Sequence, residues 1–124
     1  MPYRHLAAAD ALFTEPCRRV AGYLYGIAAE CAIKAMMDEA GLRALPEAQR
    51  SDDAYYKHFP RLRTMVRDRL QGRRGGPLLR FIEDQAFMEH WHTDMCYCKG
   101  NEIDDSWISA WQTQARNAVA AIGT

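Results

Sequence analysis

The sequence lacks an apolar run long enough to cross a bilayer, which requires about 20 such residues. Its most apolar stretch, "AGYLYGIAAECAIKAMM" from Ala21 to Met37, carries Glu30 and Lys34 near its centre. Each of these charges costs roughly 2.5 to 3.5 kcal/mol in a membrane, and glycine and alanine offset little of it. The sequence also shows no charged region followed by an apolar core and a cleavage site. We therefore expect a cytoplasmic protein that makes no membrane contact.

An excess of charge of either sign is also missing. Sixteen Lys and Arg residues balance sixteen Asp and Glu residues, so the overall charge favours neither nucleic acid nor an acidic substrate as the partner. Repeats and low-complexity segments are absent. A chain of 124 residues has the length of one domain with a real core, and we predict a single domain over residues 1–124.

Sustained alternation of apolar and polar residues is absent too, which favours an all-α fold. On the central segment, a stripe of apolar residues at helical spacing predicts the core-facing side, and a row of small residues predicts a second, closely packed side. Because both sides are apolar, we expect this helix in the middle of a bundle and predict a two-fold homodimer. The stripe consists of Val20, Leu24, Ile27, Cys31 and Ala35, with Ala28 beside them, and the small row consists of Gly22, Gly26 and Ala29.

Four more helices are predicted around the central one. A short helix precedes it, a third begins near Pro60, a fourth runs from Pro77 to about His90, and the last is capped by Asp105 or Ser106. The residues expected on their inner faces are Leu6, Ala9, Phe13, Leu62, Met65, Val66, Leu70, Leu78, Leu79, Ile82, Phe87, Trp91, Trp107, Ile108, Trp111, Ala115, Ala118, Val119 and Ile122.

Three segments follow the motifs of a known helical family. "AGYLYGIAAECAIK" fits the pattern "A-x-Y-L-x-G-x-A-x-E-C-x-L-K", with Ile33 in place of the leucine. "KHFPRLRTMV" is similar to a helix start of the type "H-D-L-x-x-L", and "WHTDMCY" is similar to "W-x-x-x-x-R-Y". By these motifs the chain resembles the HEPN family over most of its length. The family-motif positions are Glu30, Lys34, His58, Trp91, Cys96 and Tyr97.

The resemblance implies an up-and-down bundle of four or five helices, commonly a homodimer, that is associated with RNA or nucleotide metabolism. Many HEPN proteins are metal-independent ribonucleases of toxin–antitoxin, phage-defence or RNA-processing systems, and others accompany a small nucleotidyltransferase. The partners implied are therefore a second copy, an antitoxin or a nucleotidyltransferase, and RNA. No cofactor is implied.

The catalytic signature of that family is missing from this sequence. It consists of an arginine with a histidine four to six residues further on, whereas here Cys96 takes the place of the arginine and no histidine follows it. Attack of a 2′-OH on a phosphodiester needs a general base and a fixed cation. We therefore expect a non-catalytic interaction module that binds a partner protein, a nucleotide or RNA. The alternative is a ribonuclease with a non-standard site around Cys96, Lys99 and His92.

A cluster of zinc-type ligands lies within the segment "HWHTDMCYC". Its H-x-H and C-x-C spacings place neighbours on opposite sides of a helix, unlike the wider spacings that let two ligands share one ion. We expect surface histidines and reduced thiols, and a small zinc site is the alternative. The residues concerned are His90, His92, Cys96 and Cys98.

Arginine residues are concentrated in the predicted third helix and the turn after it, which is the one local departure from neutrality. Such a cluster suits a phosphate backbone or another polyanion, and the alternative is a solvated face whose arginines pair with nearby carboxylates. The candidates for binding nucleic acid or anions are Arg61, Arg63, Arg67, Arg73 and Arg74.

Two further predictions concern a histidine and the tryptophans. His58, just before Pro60, is expected to cap or orient the third helix, because the sequence shows no positioned partner for a catalytic imidazole. Trp107 and Trp111 share the apolar stripe of the last helix, so we expect the tryptophans to pack in the core. A base-stacking pocket that also includes Trp91 and Tyr97 is the alternative.

Overall fold

The computed structural model describes residues 2–13, 18–42, 44–46, 48–49, 53–59, 61–69, 77–91 and 103–123. Within these residues the chain is helical and contains no strand, so the all-α prediction is confirmed for the described part. None of the described helices is long and apolar enough to span a membrane. The α-helices are α1 (Pro2–Ala11), α2 (Arg18–Glu39), α3 (Arg61–Arg69), α4 (Pro77–Glu83) and α5 (Asp105–Ala121), and Ala54–Tyr56 forms a short 3₁₀ helix.

Helix α2 is the central element of the bundle. Helices α1, α4 and α5 all pack against it, while α3 packs against α4 and the short 3₁₀ helix. Two polar side chains join α5 to α1: Gln112 and Arg116 both donate to Oδ1 of Asp10, at 3.2 and 3.1 Å. Tyr25 donates to the same oxygen at 2.6 Å. Burial, and then the hydrogen bond to Asp10, raise the pKa of the Tyr25 hydroxyl, so it stays a neutral donor.

The side of α2 that faces the core differs from the prediction. Val20 is 52% exposed, and the rest of the predicted core stripe, apart from Ala28, is only half-buried. The row of small residues is buried instead, because glycine and alanine leave room for the bulky side chains that pack on them, and a few larger residues of α2 are buried beside it. The buried residues of α2 are Ala21, Gly22, Tyr25, Gly26, Ala28, Ala29, Glu30, Ala32, Ile33, Met36 and Met37.

The two glycines of α2 accommodate tryptophan rings. A Cβ atom at Gly26 would lie 1.8 Å from Cε2 of Trp91, and one at Gly22 would lie 3.2 Å from both Ile108 and Trp111. The indole N–H of Trp91 also donates to the carbonyl oxygen of Gly22 at 3.2 Å. Gly26 is therefore a close-contact position, as predicted, but it contacts a side chain of its own chain and not a second backbone.

Helix α4 is shorter than the prediction, which extended it to His90. The amide of Ala86 would continue the helix by bonding to the carbonyl oxygen of Ile82, but it donates to Oδ1 of Asp84 at 3.0 Å. The carbonyl oxygen of Ile82 accepts instead from Nε of Arg63 at 2.9 Å. A side chain from α3 thus takes the acceptor that the next helical turn needs.

The N-cap of α5 lies one residue before the predicted pair. Oδ1 of Asp104 accepts from the backbone N–H and the hydroxyl of Ser106, both at 2.8 Å. These hydrogen bonds lower the pKa of the Asp104 carboxyl. An N-cap aspartate usually accepts from the amide two residues further on, which has no acceptor within the helix. The prediction therefore places the cap one residue too late.

We predict that Gly26→Ala lowers the free energy of unfolding by roughly 1 to 3 kcal/mol, because the new methyl group has to displace the buried Trp91 indole. The matched control is Gly22→Ala, whose neighbours lie at 3.2 Å and need only small shifts. Alanine also gains up to about 1 kcal/mol over glycine within a helix. Urea unfolding followed by circular dichroism measures both variants. Equal stability of Gly26→Ala and the parent chain would contradict the Trp91 contact.

Candidate functional site

Two of the family-motif positions meet in a direct polar contact between α2 and the start of α3. Glu30 is only 3% exposed. Its Oε1 lies 2.7 Å from Nδ1 of His58, and its Oε2 accepts the backbone N–H of Phe59 at 2.9 Å. Both carboxylate oxygens therefore have a partner, which a buried carboxylate requires.

The contact holds the beginning of α3 against the central helix. The carbonyl oxygen of His58 accepts the first helical hydrogen bond, from Leu62 at 2.8 Å. The Glu30 carboxylate lies beside these first amides, where a negative charge is favourable. The side chain of His58 thus contacts α2 and its carbonyl oxygen contacts the first turn of α3; an orienting role for His58 stays a prediction.

Aromatic rings pack around this contact. Phe59 is edge-on to Phe87, with ring centroids 5.7 Å apart, and edge-on to Trp91 at 6.1 Å. Tyr23 stacks on the Trp91 indole with ring centroids 5.9 Å apart. Trp91 and Trp111 are buried in the core, as expected. Trp107 is only half-buried and lies at the edge of the bundle.

The imidazole of His58 has the geometry of an oriented acid–base group. Its Nδ1 is fixed by Glu30, and the side chain is 52% exposed, so Nε2 is the nitrogen available to solvent. Among the described residues, however, the only polar partner of the ring is Glu30. Phosphodiester cleavage also needs a fixed cation. The contacts of Glu30 with His58 and Phe59 therefore form a structural link between α2 and the start of α3.

The candidate Arg63 has a structural partner at the end of α4. Its Nε donates to the carbonyl oxygen of Ile82 at 2.9 Å, and its Nη1 donates to that of Gln85 at 3.1 Å. Burial and then the nearby charge of Arg67 lower the pKa of this guanidinium. Two of the five N–H donors of Arg63 are thus already used inside the bundle.

The other arginine candidates differ in their surroundings. Arg61 and Arg67 are exposed on α3, so they can meet an anion in solution. Arg73 and Arg74 lie outside the described residues. The structure therefore places one pair of exposed guanidinium groups on α3, and the predicted arginine cluster is described only in part.

The predicted histidine and cysteine cluster is also described only in part. His90 stacks on Trp107 with ring centroids 4.2 Å apart, and Lys34 is half-buried one turn after Glu30. In the part of the chain that the structure describes, no three His, Cys, Asp or Glu side chains come close enough together to hold a metal ion. The candidates that lie outside that part are His92, Cys96, Tyr97 and Cys98.

Asp53 is a buried anchor that sequence reasoning missed. Its Oδ2 accepts from the amide of Leu45 at 2.8 Å, and its Oδ1 accepts from the amide of Tyr55 at 3.1 Å. Nη1 of Arg69 lies 3.8 Å from the same Oδ1. The available signal was an aspartate directly before the short 3₁₀ helix, a position where its side chain caps free amides. Asp53 ties the connection between α2 and α3 to the end of α3.

No protein-family model, no curated protein and no solved structure matches the chain. The HEPN assignment therefore stays a prediction that rests on the sequence motifs. What the structure adds is an all-α arrangement in which Glu30 and His58 are bonded to each other and Trp91 packs beside them.

We predict that Glu30→Ala destabilises the fold more than His58→Ala does. Loss of the carboxylate leaves the buried amide of Phe59 without an acceptor, which costs roughly 1 to 3 kcal/mol. Water can replace the half-exposed imidazole beside Glu30, so His58→Ala costs less. Urea unfolding measures both, and Glu83→Ala on the exposed side of α4 serves as the control. An equal or larger loss for His58→Ala would mean that the Phe59 hydrogen bond is unimportant.

Proposed function

We propose that the chain is a homodimeric, non-catalytic helical interaction module of the HEPN type that engages a partner protein, a nucleotide or RNA. The observation that carries the proposal is the α2 stripe, defined as Val20, Leu24, Ile27, Cys31 and Ala35. Val20 is 52% exposed, and the other four are half-buried. These residues form one line along the longest helix of the bundle.

A partly exposed apolar line on a central helix is unusual, because the centre of a bundle is where apolar residues are most easily covered. Helices α1, α4 and α5 pack against α2, and they cover Leu24 and Ile27 only in part. The α2 stripe is thus left as an apolar surface of the kind that marks an interface.

The charges of α2 favour a second copy as the partner. The helix sequence starts with Arg18 and Arg19 and ends with Asp38 and Glu39, which is the reverse of the order that its own helix dipole favours. In an antiparallel pair of α2 helices, the basic start of one copy lies beside the acidic end of the other. A two-fold axis through this pair makes the same surface serve both copies. It also brings Ile27 of one copy close to Cys31 of the other.

Two observations support a non-catalytic role. Cys96 stands where the HEPN signature has an arginine, and no histidine follows it. The best-oriented histidine of the described residues, His58, is bonded to Glu30 and has no cationic partner among them. The exposed guanidinium groups of Arg61 and Arg67 support binding of a polyanion without chemistry.

We predict that the parent chain sediments at twice its monomer mass of 14.2 kDa and that Ile27→Glu sediments as a monomer. Two glutamates at the centre of the α2 stripe would be buried without partners at the interface. Ala8→Glu, on an exposed position of α1, is the matched control and should remain dimeric. Circular dichroism verifies that the variants are folded. A parent chain that sediments as a monomer at micromolar concentration would overturn the proposal.

Cross-linking through Cys31 tests the antiparallel arrangement of the two α2 helices. In a variant with Cys17, Cys96 and Cys98 changed to Ser, Cys31 is the remaining thiol, and a short bis-maleimide should join two copies. Burial raises the pKa of the Cys31 thiol, so the reaction is run at about pH 8.5, where more thiolate forms. A dimer by sedimentation that does not cross-link through Cys31 would show that another surface forms the interface.

We predict that the purified dimer does not cleave structured or single-stranded RNA, with or without added zinc. General acid–base catalysis alone contributes roughly 10²- to 10⁴-fold to such reactions, and the cation that stabilises the phosphorane is missing as well. The assay compares the parent chain with Cys96→Ala. Cleavage by the parent that disappears in Cys96→Ala would establish the ribonuclease alternative.

A further inference from the structure

An open cleft of about 310 Å³ lies between α5 and the turn that follows α4. One wall is aromatic: His90 and Trp107 stack with ring centroids 4.2 Å apart and an angle of 16° between the planes. Ala110 lies one helical turn after Trp107 and also lines the cleft. Because its side chain is only a methyl group, the space beside Trp107 stays open. The volume is at the lower end of the range for small-molecule sites and is sufficient for a purine base.

The turn that carries Glu89 and His90 has an unusual backbone. Met88 and His90 have φ angles of 55° and 72°, a region that non-glycine residues occupy at a cost of roughly 1 to 3 kcal/mol each. Strained residues of this kind concentrate at binding sites, so they point to this turn as a functional segment.

Side chains of α5 hold the strained turn in place. Gln114 accepts from the amide of Met88 at 2.8 Å and donates to the carbonyl oxygen of Ala86 at 2.9 Å. The indole N–H of Trp111 donates to the carbonyl oxygen of Glu89 at 2.9 Å. These three hydrogen bonds fix the backbone that carries Glu89 and His90, so the cleft is formed in advance of any ligand.

The polar groups of the cleft define the chemistry of a ligand. Glu89 is 61% exposed at the rim, and an ionised carboxylate only accepts hydrogen bonds. No Lys or Arg lines the cleft among the described residues, and the carboxylate oxygen Oε1 of Glu89 lies 4.0 Å from Nε2 of His90. The cleft therefore suits a flat, uncharged ring that stacks on an aromatic wall and donates hydrogen bonds from one edge.

We propose that this cleft binds a planar nitrogen heterocycle with two adjacent N–H donors, of which the guanine base is the natural example. The ring stacks on the His90–Trp107 pair, and its two N–H groups donate to the carboxylate of Glu89. Adenine presents an acceptor at the corresponding ring nitrogen and is disfavoured by the same carboxylate. The inference is independent of the proposed dimer, because the cleft residues lie on α5 and its neighbouring turn and not on the α2 stripe.

The test is isothermal titration calorimetry of the full chain with guanosine, inosine and adenosine. Guanosine should bind most tightly, inosine more weakly because it lacks the exocyclic amine, and adenosine most weakly. Glu89→Gln should weaken guanosine binding about tenfold or more, since hydrogen bonds to a charged acceptor are the strong ones. Ala110→Met, which fills the cleft, should abolish binding.

The matched controls are Glu83→Gln and Ala120→Met, two exposed positions outside the cleft, and both should bind as the parent does.

The indole N–H signals of the three tryptophans in a ¹H–¹⁵N spectrum locate the ligand. Trp107→Phe assigns the signal of Trp107, which should shift on addition of guanosine while that of Trp91 stays in place. Equal affinity for guanosine and adenosine, unchanged binding to Ala110→Met, or no binding at millimolar concentration would overturn the proposal. Tighter binding of arginine amide than of guanosine would also overturn it, because it would identify the cleft as a guanidinium site.

Discussion

The arrangement of the bundle depends on a single buried carboxylate. Glu30 lies in the middle of the most apolar helix, where an unpaired charge would cost several kcal/mol. The chain meets this requirement by bringing the residues that start α3 to the two carboxylate oxygens. The start of α3 is therefore held against α2 by the need to satisfy this side chain. The same contact places the arginines of α3, among them Arg63, which bonds to the carbonyl oxygen of Ile82 at the end of α4.

The second constraint is the row of small side chains on α2. Glycine and alanine leave room for the indole of Trp91 and for the rings of α5, so the neighbouring helices approach on the side where α2 has least volume. The larger apolar residues of the α2 stripe are left at the periphery. The bundle thus buries the small residues of α2 deeply and leaves Val20 exposed. The same distribution makes the central helix both the core of one copy and the surface that we assign to the interface.

Helical periodicity was sufficient to predict the number and order of the helices, and the family motifs marked Glu30 and His58 before their contact was known. Periodicity failed where a helix is apolar on nearly all sides, because α2 then offers two stripes and spacing cannot tell which one is covered. It failed again at the end of α4, since the reason lies in α3: Arg63 takes a carbonyl group that the helix needs. The His90–Trp107 cleft depends on positive φ angles at Met88 and His90, and no residue type there signals them.

The space that Gly26 leaves for the Trp91 ring has a consequence for synthesis of the protein. The residue that fills it, Trp91, donates to the Gly22 carbonyl oxygen across 69 positions of sequence. While a ribosome makes the chain at about 5 to 20 residues per second, α1 and α2 emerge several seconds before that ring does. The glycine side of α2 is uncovered during this interval and can attract other nascent segments. A chaperone that shields apolar helices is thus most useful before the second half of the chain has emerged.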